Sequence, residues 1–421
     1  MTEGPTNWAR NITFGADRLE APTSVEQLQD LVASSDRLRA LGSGHSFSDI
    51  ADTPGVLVSL AGLPERVEID AEQSTATVSA GIRYTHLCRR LHANSYALHN
   101  LGSLPHISVA GSCATATHGS GDANGNLATA VSAIEMVTAD GSLVTLSRSA
   151  DGDLFDGAVV GLGSLGIVTS LTLDVQPAFD VRQRVYEGLP FDVLVERFDE
   201  IFAGGYSVSV FTDWRRSRFD QVWVKRRTDD PRDAVATFVG AVPTDAARHP
   251  VPGMPAGNCT EQMGVPGPWY ERLPHFRPDF TPSSGRELQS EYLVPRRHAV
   301  DALDAMRRTG HRVAPVLQIA ELRTVASDRL WMSPSYRRDV MGIHFTWVHD
   351  MDAVLPVVGL VERALAPFDA APHWGKLSTI PAEVVRALYP RLADFRELVN
   401  AHDPDGKFRN AFVDRYLLDH R

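Results

Sequence analysis

The sequence predicts an α+β fold in two domains, on three observations. Residues 1 to about 176 interleave short alternating strands with two amphipathic helical stretches; after LTLDVQP a second set of helices and longer strands begins; and 421 residues suffice for two or three domains with ample buried core. A hydrophobic content of 43% with 22% charged residues is ordinary for a folded globular chain.

The elements follow in order. TSVEQLQDLVASS offers Ser24 as N-cap with Gln27 three residues on and Leu28, Leu31 and Val32 on one face, a capped amphipathic helix. RAL then reads as a short strand running into Gly42, Ser43 and Gly44. GVLVSL, RVEID and TATVSAG alternate like strands, RYTHLCRRLHANS has helical periodicity, and AIEMVTADGSLVTLS reads as a hairpin turning at Asp140-Gly141. The second pattern opens with a helix at FDVLVERFDEIFA and strands at YSVSVFTDW and DQVWVKRRT, and continues as strand–helix pairs through residue 368. Nine of the 26 prolines fall between residues 243 and 282, which forbids a continuous helix or central strand there and predicts a long ordered surface loop that could flank a site entrance.

Composition excludes several partners. Lys and Arg total 41 against 52 Asp and Glu, a net charge of −11 that disfavours nucleic acid and anionic membranes. Three cysteines, Cys88, Cys113 and Cys259, without Cys-x-x-Cys spacing suggest neither a disulfide framework nor a thiolate zinc site and fit a reducing cytoplasm. The 15 histidines show no His-Glu-x-x-His pair, so no metal site is expected and a metal-dependent hydrolase is disfavoured. The first residues lack a basic start with an apolar run, and the longest near-apolar stretch, AVLPVVGLV, is far short of the ~20 residues a span requires. A cytoplasmic monomer is the expectation.

Two small-residue loops suggest a large phosphate-containing ligand. In RALGSGHSFSDI, His45 is the first bulky polar group after the glycines. It could merely satisfy a turn; a dinucleotide fingerprint fits poorly, because Phe47 stands near where the third glycine belongs. In SVAGSCATATHGSG, residues 108–121, nearly every side chain is small, so backbone amides can line a phosphate, although a tightly packed turn without ligand has the same composition. GLGSLG, Gly161 to Gly166, matches G-x-G-x-x-G, but a helix precedes it and a strand follows, the reverse of a nicotinamide site.

Two strands are candidates for a second site. In VLQIAELRTV, Glu321 and Arg323 leave one face of an apparent strand; in MGIHFTWVH, His344 and Thr346 share one face while Ile343, Phe345 and Trp347 share the other. Either strand could line a polar cavity or belong to a solvent-facing sheet with an ordinary ion pair.

LGSGHSFSDI, SLPHISVAGSCATATHGSG, GLGSLGIVTSLTL, HWGK and DPDGKFRNAF together resemble the vanillyl-alcohol oxidase family of flavoproteins, in its alditol oxidase branch. The resemblance runs from NWARNITF to the C-terminus. It implies an FAD-binding α+β domain over residues 1–176, a substrate domain over 177–375 built on a large antiparallel sheet flanked by helices, and a C-terminal segment, 376–421, returning to the FAD domain. It implies one FAD per chain, joined covalently to His45, with no second cysteinyl link because NLGSLPHIS holds no cysteine. Ala40, Leu41, Gly42, Ser43, Gly44, His45 and Ser46 would wrap the flavin and pyrophosphate. Ser103, Ser108, Gly111, Ser112, Cys113 and Ala114 (Cys113 through its backbone alone), Val168 near the adenine, and His373 would complete the cofactor site.

The same resemblance places Ser103, Glu321, Arg323, Thr346 and Lys376 on the substrate and Lys376, Arg323 and His344 at the chemistry. The implied reaction is hydride transfer from C1 of a linear alditol such as xylitol or sorbitol to flavin N5, giving the aldose, with O2 reduced to H2O2. Gly102, beside Ser103, leaves oxygen a path and so favours an oxidase. A polyol is neutral and dense in hydroxyls, which suits one carboxylate among several donors. The alternatives are a sugar-1,4-lactone oxidase of the same family and a non-enzymatic flavin- or sugar-binding protein.

Overall fold

The computed structural model describes residues 4–230, 238–278 and 286–418. Ser24 caps the helix Val25–Ser34 by accepting from the Gln27 amide at 3.2 Å, and the Gln27 side chain reaches back to the Thr23 amide at 2.9 Å, so Leu28 and Val32 can be buried on its inner face. Strands Arg18–Glu20, Leu38–Leu41 and Val56–Ser59 form a parallel sheet with Val56–Ser59 in the middle. Five antiparallel strands follow, with Ile167–Asp174 between Thr75–Ser79 and Val131–Val137. The predicted hairpin turns where expected: Gly141 has φ +86°, and Asp140 accepts from the Ser142 amide at 3.0 Å.

A nine-stranded antiparallel sheet dominates the rest. Its six long strands run in the order Asp180–Pro190, Arg218–Arg227, Ser207–Thr212, Leu317–Val325, Val340–Trp347, Leu288–Pro295. Period-2 alternation divides its faces. Val208, Val222, Leu322, Ile343 and Phe345 point to one side, where the helices Ala299–Val313 and Met351–Leu365 bring Leu303, Met306, Val354, Val358 and Val361 into the same core. The opposite face carries a row of Gln221, Phe211, Glu321, His344 and Glu291, cross-strand neighbours on five successive strands. That row is the polar face anticipated from Glu321 and His344. It is covered, so the solvent-facing alternative fails: Glu321 is 5% exposed and Glu291 2%.

Three expectations are corrected. FDVLVERFDEIFA is not one helix but two, Phe191–Glu196 and Phe198–Phe202, broken at Arg197 (φ −121°, ψ 30°) so that Phe198, Ile201 and Phe202 can all be buried. The small-residue stretch after Ser108 contains a short helix, Val109–Ala114. The proline-rich segment is only partly a surface loop: Cys259, Trp269, Leu273, His275 and Phe276 are buried, several against the polar face of the large sheet. Its apolar and aromatic residues outweigh what the prolines alone suggested; residues 279–285, with Pro282, lie outside the described residues.

The last helices, Ala382–Ala387, Leu392–His402 and Ala411–Tyr416, place Val385, Phe395 and Phe412 in one core with Val78, Phe155 and Leu171 of the N-terminal half. Among the described residues no helix is long and apolar enough to cross a membrane.

Candidate active site

The strand Leu38–Leu41 delivers the chain into Gly42, Ser43 and Gly44. Gly44 has φ +65°, a region closed to most side chains, and its carbonyl accepts from the Trp8 amide at 2.8 Å. A Cβ on Gly42 would overlap the Ser108 hydroxyl, so both loops need their small residues to meet. They clasp reciprocally: Ser43 N donates to Ser108 Oγ and Ser108 N donates to Ser43 Oγ, each at 3.3 Å. His45 follows, its ring 4.4 Å from Trp8 and 5.1 Å from His106. Among the described residues neither ring nitrogen has a hydrogen-bond partner, and both are shut off from solvent. Burial, then the charges of Lys376 and His106, push its pKa well below the ordinary imidazole value. Two orphaned nitrogens on a neutral ring, beside a cradle of glycines, fit the FAD that the resemblance implies.

The misleading GLGSLG has another use. Arg39, 2% exposed, donates to Leu162 O at 2.9 Å, Gly163 O at 3.0 Å, Phe408 O at 2.8 Å and Ile50 O. It thus ties the strand before GSGHS to the glycine turn and to the C-terminal KFRN stretch. Burial lowers its pKa to about 10, so it remains a cation at neutral pH.

Across the cavity lies the polar face of the large sheet. Glu291 is its hub: Arg323 Nη2 donates to Oε1 at 2.5 Å, His118 Nε2 lies 3.2 Å from the same oxygen, and His344 Nδ1 lies 3.3 Å from Oε2. Burial pushes the Glu291 carboxyl up, but Arg323, His118 and His344 outweigh it and hold it well below the usual range. Glu321 behaves likewise, with Arg323 and His275 overcoming burial, and it accepts from His275 Nε2 at 2.7 Å. Burial lowers His344, so the ring is neutral; facing an ionised carboxylate, Nδ1 must carry the proton, which leaves Nε2 as an acceptor 3.3 Å from the Thr346 hydroxyl. Lys376 Nζ donates to Gln289 Oε1, and burial draws its pKa down to about 8. Arg323 Nη1 donates to Ser103 Oγ at 3.4 Å.

One continuous cavity joins the two halves, and every residue expected at the site lines it. Ala40 to Ser46, Ser108, Gly111 to Ala114 and Val168 lie toward the glycine loops; Ser103, Glu321, Arg323, His344, Thr346 and Lys376 lie toward the sheet, and so does His373, whose amide donates to Glu291 O at 2.9 Å. Two of these offer backbone only, because Ser112 Oγ donates to Tyr84 OH at 3.1 Å and the Cys113 thiol is buried 3.9 Å from the same hydroxyl. Sequence reasoning missed Glu291, Gln289, His118 and His275. For the first two the signal was present: QSE in LQSEYLVP has the spacing of ELR in the neighbouring strand. His118 and His275 sit in irregular segments, where no periodicity marks a face. No cluster among the described residues could hold a metal ion.

Comparison with known proteins gives the family. The FAD binding domain family matches residues 16–147, and the D-arabinono-1,4-lactone oxidase family matches residues 283–416. The chain is 55% identical over 423 residues to the alditol oxidase of Streptomyces sp., covering 100% of both. It is 28% identical over 438 residues to the L-gulono-1,4-lactone dehydrogenase of Mycobacterium tuberculosis, covering 98% of each. Among solved structures, cholesterol oxidase from B. sterolicum superimposes with a TM-score of 0.77 at 14% identity, over 99% of this chain and 96% of that one, a likeness of fold alone.

Proposed function

This chain belongs to the alditol oxidases of the vanillyl-alcohol oxidase-type FAD-binding family, and from that premise we propose that it oxidises the terminal C1 hydroxyl of linear alditols such as xylitol and sorbitol to aldoses. The observation that carries the substrate reading is the charge balance of the polar face: Glu291 and Glu321 offset Arg323 and Lys376, among the neutral groups Ser103, Gln289 and Thr346. A neutral chain of hydroxyls, each both donor and acceptor, suits such a lining, whereas an acid or phosphate would call for a net positive one.

Lys376 and Arg323 orient and polarise the C1 hydroxyl, while Glu321 and Ser103 hold neighbouring hydroxyls and so fix which carbon is presented. His344 Nε2, its lone pair directed by the Nδ1–H bond to Glu291, accepts the hydroxyl proton; the Glu291 carboxylate then stabilises the imidazolium. FAD, when bound, would supply the hydride acceptor for the C1 hydrogen, with O2 as the oxidant reduced to H2O2. His45 would hold it through a covalent bond, with Ala40 to Ser46, the backbone of Gly111 to Ala114, Val168 and His373 about it. Gly102 supports oxygen as the final acceptor, because a Cβ there would fit in van der Waals contact with His118 O and Thr117 Cγ2 at 3.8 Å, and its absence leaves that methyl-sized space beside Ser103 unfilled.

The match of residues 283–416 to D-arabinono-1,4-lactone oxidase keeps a second reading, oxidation of a sugar-1,4-lactone. Peroxide release with xylitol, sorbitol and gulono-1,4-lactone separates them. Turnover of the two polyols supports the first; turnover of the lactone alone supports the second.

A further inference from the structure

Lys225, on the strand Arg218–Arg227, is 0% exposed, and among the described residues its ammonium faces no carboxylate within ion-pair distance. Its partners come from one short stretch of the proline-rich segment: Leu273 O, Pro274 O at 3.2 Å and His275 Nδ1 at 3.1 Å. An ammonium has three hydrogens and no lone pair, so these three acceptors use it fully. His275 Nδ1 must then be unprotonated. The ring, kept neutral by burial and by Lys225, carries its hydrogen on Nε2 and donates it to Glu321 Oε1 at 2.7 Å. The lysine thereby dictates the tautomer that grips Glu321.

The same stretch reaches Ser103. The amides of His275 and Phe276 both donate to Ser103 O, at 3.2 and 3.3 Å, and Thr260 Oγ1 donates to Pro274 O at 2.7 Å. Residues 273–276 therefore form a strap bound to the sheet at Lys225, to one proposed hydroxyl-binding group by a side chain and to another by the backbone.

We propose that Lys225 and His275 are positioning residues that fix Glu321 as a charged acceptor and hold Ser103, and so set affinity for the hydroxyls beyond C1 rather than the rate of reaction at C1. The proposal rests on the alditol reading above. It assigns to the proline-rich segment a part in recognition: Glu321 can turn toward a substrate hydroxyl with one oxygen because the other is committed to His275.

The test is anaerobic flavin reduction by sorbitol in the purified holoenzyme, which yields an apparent Kd and a limiting rate separately. Burial pulls Lys225 down to about 7, so the pH is kept below that value, where all three donors are intact. His275→Phe should raise the apparent Kd about 10- to 100-fold, the scale of one hydrogen bond to a charged group. Its limiting rate should stay within about threefold of wild type. His275→Gln, whose amide restores a donor near the Nε2 position, should recover most of the affinity, and Lys225→Met should follow His275→Phe. With 1-hexanol, which lacks every hydroxyl beyond C1, the same variants should lose little. An unchanged Kd in His275→Phe, equal losses with both substrates, or a collapse of the limiting rate at unchanged Kd would each overturn the proposal. Failure of the wild type itself to be reduced by any polyol would instead overturn the alditol reading and this inference with it.

Discussion

Replacing Glu291 with Gln keeps the shape of the hub and removes its charge. The Gln carbonyl must face Arg323, which can only donate, so the new NH2 group turns toward His344 Nδ1. Donor then meets donor unless His344 changes tautomer and carries its proton on Nε2. In that form the ring cannot take a proton from the C1 hydroxyl, and the carboxylate that would stabilise the imidazolium is gone. Positioned bases contribute about 10²- to 10⁴-fold, so the limiting rate of flavin reduction by sorbitol should fall by about that factor. Breaking a buried ion pair costs about 3–5 kcal/mol, but at the low end of that range here. The reason is that Arg323 keeps Glu321 at 3.7 Å. The variant should therefore fold and stay yellow. Stopped-flow reduction under nitrogen is the assay; a limiting rate within about threefold of wild type would refute His344 as the proton acceptor.

The remaining predictions follow from the same contacts. Lys376→Met should retain FAD and lose about 100-fold or more in turnover, the scale of one preorganised donor; near-normal flavin reduction would remove Lys376 from the chemistry. In the wild type the limiting rate should fall as pH rises through about 8, where Lys376 loses its charge, and the acid limb should lie below the ordinary imidazole range because burial lowers His344; Lys376→Met should lack the alkaline limb. Acid-precipitated wild type should keep its yellow colour in the pellet and His45→Ala should release its FAD, whereas a colourless wild-type pellet would deny the covalent bond. Arg39→Met strips donors from three buried carbonyls and one partly buried one and should destabilise the protein by about 3–5 kcal/mol with weaker FAD retention; an unchanged thermal midpoint would show that the clamp carries little.

How much of this was legible in the sequence depended on periodicity. Alternation in MGIHFTWVH and ELR identified a strand face before its neighbours were known, because side chains two apart must share a side. The hairpin at Asp140-Gly141 was equally plain, since few residues tolerate its backbone. What the sequence hid is what tertiary contact decides. His118 and His275 reach Glu291 and Glu321 from segments without period, Lys225 looks like any charge on a strand until its burial is seen, and Arg39 finds its acceptors 11 to 369 residues away. The break at Arg197 was invisible for a related reason: FDVLVERFDEIFA has helical periodicity throughout, but packing against the sheet splits it.

The most direct test of the central claim needs no mutation. Purified protein in anaerobic buffer is mixed with sorbitol, its visible flavin band is followed, and air is then admitted while peroxide is measured. Alditol oxidation predicts that the band bleaches with the polyol, returns with oxygen, and yields one H2O2 for each flavin reduced. A colourless protein, or a yellow one bleached by gulono-1,4-lactone and by no polyol, would contradict it.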